Sequence, residues 1–346
     1  MVDVPKALVD FIQNGTSFVV AGHEEPDGDC VGSQLALCSL LERMGKKAVP
    51  CSAGPFKRKE LKPFEKHFLP FPANREGLKV FIMDCSIRER VGDLPIDGLP
   101  TAVVDHHAHA ASSSQNCCDS SIPAESFSLR SRPEGTHALG NPSGEVIFLD
   151  PLAPSVTFMT EKIFRALGFE PNANEAELLL FGLCTDTGFF RHLDEPCAET
   201  FLTAARLAAA GASPKRIFNI INGGKSLNSR LLMGSYLNRT RSYFDGKLLV
   251  SFETPEESKR YGFESRDSDV LYQLFLSVEG VEAVALLRQE NSTECSIGFR
   301  SRGRIDVSAI AGQFGGGGHK NAAGAKAQGS IPELEEKIVA AFTKLL

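Results

Sequence analysis

Apolar and polar positions fall into two textures along this chain. Up to about residue 223, short apolar runs alternate with segments whose apolar residues recur at helical spacing; beyond it, strand-like runs dominate. Residues 5–13 carry the first helical pattern. Residues 17–21 (SFVVA) form a strand-length apolar run, and a polar loop follows over 22–30. Over 31–44, Val31, Leu35, Leu37, Leu40 and Leu41 share helical spacing, and Gly45 supplies the stop. Residues 47–51, 79–83 and 101–104 read as further strands. Strands separated by connections of this length predict an α/β fold with a mainly parallel sheet flanked by helices.

The stretch 110–145 breaks the pattern. It is rich in Ser, Pro, Gly, Asn and Cys and has little periodicity, so 108–150 is expected to be a long excursion. Helical spacing returns over 157–167, 174–185, 198–210 and 214–221. Residues 226–241 predict one more helix, a connector. Strands at 247–252, 281–287 and 295–299, a helix at 306–314 and a last helix at 331–346 follow. The predicted organisation is a larger domain over 1–223, a connector over 224–242 and a smaller α/β domain over 243–346.

Composition narrows the function classes. A chain of 346 residues has room for two cores. The net charge of −6 lacks the basic excess that binding of long duplex nucleic acid favours, so an anionic substrate should be small and held locally. The nine cysteines include no C-x-x-C pair, and their odd number fits reduced thiols in a cytoplasm. No leader-like N-terminus and no run of eighteen apolar residues is present, so neither export nor a membrane span is expected.

Chemistry concentrates at the ends of the predicted strands. His23, Asp27 and Asp29 stand in GHEEPDGDCVGS, Asp84 in FIMDCS, and Asp105, His106 and His107 in VVDHHAH. In an open α/β sheet the crevice beyond the carboxyl ends of the strands collects ligand chemistry. Carboxylates mixed with imidazoles suit a divalent ion such as Mn²⁺. Their number exceeds the needs of one ion, and two ions sharing a bridging group would serve phosphate-ester hydrolysis, with Asp84 the candidate bridge. Each stretch alone has a plain explanation as a solvated turn or helix cap; their joint placement after successive strands does not. Farther on, Arg300, Arg302 and Arg304 alternate, so they would share one face of an extended segment, where a charged strand edge competes with phosphate contact. Gly315 to Gly318 with His319 would suit an anion-binding turn of backbone N–H groups, a flexible linker being the competing explanation.

The order H-x-x-x-D-x-D, then D, then D-H-H resembles the DHH phosphoesterases. LCTDTGFFR resembles that family's fourth motif, with Asp186 at its acidic position, and SIGFRSRGRIDVSAIAGQFGGGGHKNAAGA resembles the glycine-rich signature of the DHH-associated C-terminal domain. The arrangement is most similar to two-domain members of the nanoRNase/pAp phosphatase type. The resemblance implies two Mn²⁺ ions, with Co²⁺ or Mg²⁺ as substitutes. His23 and Asp27 would hold one; Asp29, His106 and Asp186 the other; Asp84 would bridge. His107 would touch the substrate phosphate, with Asp105 orienting the ligands. Arg300, Ser301, Gly316, Gly317, Gly318 and His319 would bind the nucleotide end. The implied activity is hydrolysis of short single-stranded oligoribonucleotides to mononucleotides, of adenosine 3′,5′-bisphosphate to AMP, or both. Cyclic or linear di-adenylate hydrolysis is the alternative, and a homodimer is left open.

Overall fold

The computed structural model describes residues 2–107, 145–193 and 195–346. Two compact units are seen, Met1–Gly223 and Gly224–Leu346. Most of the predicted excursion, 108–144, lies outside the described residues.

The first unit runs α1 (Lys6–Gln13), β1 (Ser17–Gly22), α2 (Gly28–Arg43), β2 (Lys47–Pro50), α3 (Lys62–Glu65), β3 (Leu78–Met83), β4 (Thr101–Asp105) and β5 (Val146–Leu149). Four helices follow: α4 (Val156–Ala166), α5 (Ala173–Asp186), α6 (Ala198–Ala209) and α7 (Pro214–Asn222). Among the described residues the sheet is entirely parallel in the order β2-β1-β3-β4-β5. The chain leaves β1 for β2 on one side and returns to β3 on the other, so the crevice between β1 and β3 is where such sheets bind ligands. Alternation along β1 sends Phe18 and Val20 into the core beneath α2, α4 and α5. Val19 and Ala21 face the opposite core with Val80 and Ile82. Both faces are covered, which is why these strands read as nearly continuous apolar runs.

Two expectations need correction here. The first long helix begins at Gly28, not Val31, because Asp27 caps it: its Oδ1 accepts from the backbone N–H of Asp29 and Cys30 at 3.0 and 3.1 Å. Asp29 therefore belongs to the first turn of α2 rather than to a loop. The end of the predicted excursion is also structured, since Val146–Leu149 pairs in register with Ala102–Asp105 as edge strand β5.

The second unit runs α8 (Leu227–Asn238), β6 (Arg241–Tyr243), β7 (Leu248–Glu253), α9 (Pro255–Tyr261), α10 (Ser268–Leu276), β8 (Ala283–Gln289) and β9 (Glu294–Ser301). It ends with α11 (Val307–Gly312), β10 (Gly317–His319), β11 (Ala322–Gln328) and α12 (Ile331–Phe342). The strands order β10-β11-β9-β8-β7-β6, antiparallel apart from the β7–β8 pair. One face packs against α11 and α12, and the other against α8 and α10. The helix expected as a connector thus buries Leu232, Met233 and Tyr236 in this unit's own core. No helix among the described residues is long and apolar enough to cross a membrane.

Candidate metal centre

Four segments deliver the first unit's polar cluster. The turn after β1 carries His23, and α2 begins directly afterwards with Asp27 and Asp29. β3 ends just before Asp84, β4 ends in Asp105 with His106 and His107 beyond it, and α5 ends in Asp186. Asp84 adopts φ +62°, a left-handed conformation that costs a non-glycine residue about 1–3 kcal/mol. Its N–H is fixed to the Val104 carbonyl at 2.9 Å, so the β3–β4 pairing enforces that conformation.

Small residues bring α5 to α2. A Cβ on Gly28 would come within 2.4 Å of Thr185 Oγ1, and one on Gly32 within 2.6 Å of the Leu178 carbonyl. Only hydrogen fits there, and the resulting backbone contact carries Asp186 to the others. The N-terminus of α4 contributes as well. Asp29 Oδ1 accepts from the Thr157 N–H at 2.8 Å and its hydroxyl at 2.6 Å, while Oδ2 accepts from the Val156 N–H at 2.5 Å. Those partners use three of the carboxylate's roughly four acceptor positions.

The donors converge closely. His23 Nε2 lies 3.6 Å from Asp84 Oδ2, and His106 Nε2 lies 3.6 Å from Asp84 Oδ1 and 3.2 Å from Asp186 Oδ2. Ligand atoms of Asp29, His106 and Asp186 all fall within 4.8 Å of one another, as do those of Asp84, His106 and His107, and of His23, Cys30 and Asp84. Asp27 joins none of these sets, and its Oδ1 caps α2.

Hydrogen bonds decide which imidazole nitrogens can serve as ligands. His23 Nδ1 sits 2.7 Å from the Glu24 carbonyl and His106 Nδ1 3.1 Å from the Ala153 carbonyl. A carbonyl can only accept, so Nδ1 carries the proton and Nε2 presents its lone pair to the cluster. His107 is arranged differently: its Nδ1 pairs with Asp105 Oδ1 at 2.7 Å, and its side chain is 42% exposed.

Electrostatics point the same way. Burial, followed by the charges of Asp29, Asp27, Asp186 and Asp105, pushes the Asp84 carboxyl well above the usual range. Burial with Asp29 and Asp27 pushes Asp186 up to about 8. Burial also raises Asp29, partly countered by His106. Asp105 is the exception. Burial works to raise it, but hydrogen bonds from the His107 side chain and backbone hold it well below the carboxylate range. The same bond raises His107 above its ordinary value. Asp84 Oδ1 is buried and accepts no hydrogen bond among the described residues. A buried acceptor among crowded carboxylates, faced by imidazole lone pairs, is the chemistry of a divalent-cation site, and the residues fit such an ion. Two cations escaped the sequence reading: Arg58 acts electrostatically on Asp186 and Arg90 on His107. Their signal was present, since KRK and RER each follow a strand. Their loops also bond to the turn after β1, through Gly54 to Glu25 and Arg90 to Glu24.

Comparison with known proteins places the chain. Residues 17–131 match the DHH family, N-terminal domain, and residues 245–346 match the DHHA1 domain. The bifunctional oligoribonuclease and PAP phosphatase NrnA of Thermus thermophilus is 30% identical over 330 residues, covering 94% of this chain and 89% of that protein. The chain belongs to the DHH family. The cyclic-di-AMP phosphodiesterase PdeA of Listeria monocytogenes is 23% identical over 98% of this chain, which spans only 49% of that protein. An exopolyphosphatase-related protein from Bacteroides fragilis shares the fold, with a TM-score of 0.74 at 20% identity, covering 98% of this chain and 96% of the other.

Within the DHHA1 half of this DHH protein, the residues expected to bind nucleotide are placed as follows. Arg300 lies on the half-exposed face of β9, its guanidinium 4.5 Å from the Tyr272 ring centroid and its Nη1 donating to the Phe299 carbonyl. Ser301 is buried, and its hydroxyl donates inward to the Ile305 carbonyl at 2.7 Å. Arg302 donates to the Leu276 carbonyl and Arg304 pairs with Glu282 at 3.2 Å, so the three arginines do not form one phosphate-facing stripe. The glycine run is no free turn either. Gly317–His319 pairs with β11, and a Cβ on Gly316 would come within 2.1 Å of the Gly324 carbonyl. Close strand approach explains Gly316, whereas Gly317 has open space around it and stays exposed beside Gly318 and His319.

Proposed function

We propose that this chain is a divalent-cation-dependent phosphoesterase that hydrolyses short oligoribonucleotides to nucleoside monophosphates and adenosine 3′,5′-bisphosphate to AMP. The observation that carries the reading is the buried Asp84 carboxylate, flanked by His23 and His106, in a chain related along nearly its whole length to an oligoribonuclease and PAP phosphatase. His23 and Asp27 would hold one ion, Asp29, His106 and Asp186 a second, and Asp84 both, with Mn²⁺ the preferred metal. Bound there, such ions neutralise phosphoryl charge and supply a water-derived nucleophile near neutral pH.

The chain's own residues do the rest. The carbonyls of Glu24 and Ala153 keep His23 and His106 in the ligand tautomer. Asp105 holds the Nδ1 proton of His107 and favours its cationic form, which suits the ring to a phosphate oxygen as charge develops there. Arg300, Gly317, Gly318 and His319 would bind the nucleotide end. Ser301 supports that segment from within. Cyclic di-adenylate hydrolysis is the second reading, favoured by the match to PdeA along 98% of this chain.

The test is a turnover assay with Mn²⁺, Mg²⁺ or Co²⁺ on di- to decaribonucleotides, adenosine 3′,5′-bisphosphate and cyclic di-AMP. Short oligomers and the bisphosphate should be cleaved fastest, with activity abolished by chelation and restored by Mn²⁺. Turnover that survives chelation, or that is confined to cyclic di-AMP, would overturn the reading.

A further inference from the structure

The turn that follows Asp186 at the end of α5 continues into an aromatic surface. Asp186 is followed by Thr187 and Gly188, then by Phe189 and Phe190. Both phenylalanines adopt left-handed backbone, φ +59° and +69°, which is unusual for a bulky residue. Two bonds hold them so: the Phe189 N–H to the Cys184 carbonyl at 2.7 Å, and the Phe190 N–H to the buried Thr187 hydroxyl at 3.1 Å. Phe190 stacks against Phe201 of α6, with centroids 5.3 Å apart and planes tilted by 32°. Phe189 meets Phe218 of α7 edge-on at 5.3 Å. Phe201 and Phe218 are 51% and 50% exposed. Singly exposed apolar side chains need no explanation, but two half-exposed rings on α6 and α7, each packed on a partly buried phenylalanine of a conformationally costly turn, do.

We propose that the Phe190–Phe201 pair is a stacking platform for a nucleobase of the substrate. The inference rests on the phosphoesterase reading and adds to it the part of the site that recognises nucleotides rather than phosphoesters in general. Phe190 follows Asp186 by four residues, so their α-carbons lie at most about 14 Å apart, within the reach of a nucleotide whose phosphate sits at the carboxylates. Aromatic faces bind bases with little sequence preference, as stepwise degradation of mixed short oligomers requires. A rigid ring pair adds contact area at little entropic cost. The phosphate end has cationic company, because Arg58 acts on Asp186 itself.

The chain contains no tryptophan, so Phe201→Trp introduces a single fluorescent reporter. Titration with AMP should quench it in a saturable way, whereas ribose 5-phosphate and inorganic phosphate should not. In kinetics, Phe201→Ala should raise KM for a diribonucleotide about tenfold, within the range measured for loss of one base stack, and change kcat less than about twofold. The same variant should hydrolyse an abasic dinucleotide as wild type does. Phe201→Leu keeps apolar bulk without a π-face and should behave like the alanine variant. Equal quenching by ribose 5-phosphate, or an equal KM change on the abasic substrate, would overturn the proposal. So would an unchanged KM accompanied by loss of a dimer in sedimentation, which would mean that a second copy covers this face. If wild type cleaved no nucleotide at all, the function proposed above would fail, and quenching by AMP would still decide the platform.

Discussion

Asp84 shows how much a single residue decides. Its backbone is strained, its carboxylate buried, and its charge surrounded by like charges. Such a residue opposes folding, a cost that the proposed cation would offset. Asp84→Asn should lower kcat at least about 10²-fold, because a ligand is lost where charge develops. The same variant should raise the Tm of cation-free protein by about 2–4 °C, as the cost of burying an acidic group among other carboxylates is removed. Scanning calorimetry with and without Mn²⁺ checks this, and a lower Tm in the cation-free variant would count against the site. The sequence exposed Asp84, His23 and His106 because each stands within two residues of the end of an apolar run. It could not show that His107 turns its Nδ1 to Asp105, or that Asp29 is gripped by the start of α4, because those partners come from distant segments.

At the scale of elements, Asp186 meets the other donors because α2 and α5 touch backbone to backbone. Gly32→Ala would place a methyl 2.6 Å from the Leu178 carbonyl, an atom that cannot move without shifting α5. Overpacking of this kind costs about 1–3 kcal/mol. It should also separate Asp186 from Asp29 and weaken Mn²⁺ binding about tenfold, a typical effect of disturbed ligand support. Titration calorimetry with Mn²⁺ measures the affinity directly, and unchanged affinity would show that the crossing does not position the donors. Helices with long apolar faces, such as α4 and α5, were legible from periodicity. The start of α2 was not, since the Asp27 cap lies inside a motif that also reads as a metal loop. Neither α9 nor α10 was legible in this way: PEESKRY has no apolar face and SDVLYQLFL is apolar nearly all round, so neither gives a periodic contrast, although Thr254 and Glu257 form a capping box at the start of α9. Strand β10 was hidden by glycine, whose place in a sheet depends on how closely its neighbour approaches.

At the scale of the molecule, the two units have separate cores and separate buried polar networks. In the second, Glu253 is fully buried and accepts from Arg266 Nε at 3.0 Å, Arg266 Nη2 at 2.9 Å, Tyr236 and Ser258. Burial alone would raise this carboxyl, but bonds from Arg266, Ser258 and Tyr236 overcome that and hold it below its ordinary value of 4.5. Its stabilising contribution is therefore complete above about pH 4.5 and is lost as the pH falls through the lower folded value. Glu253→Gln should destabilise the protein by about 3 kcal/mol at pH 7, the low end for breaking a buried pair, and the difference should shrink below pH 4. Urea unfolding across that range tests the sign. Hydrogen exchange should locate the loss in 224–346, with Mn²⁺ affinity unchanged. The sequence by itself determined the α/β class, the family and the identity of the chemical groups, because strand periodicity and short motifs are local properties of the chain. Only the tertiary structure decided which groups meet, which imidazole nitrogen faces inward and which rings stay exposed, because those outcomes depend on contacts between residues up to about 150 positions apart, such as His23 with Asp84 and Asp29 with Thr157.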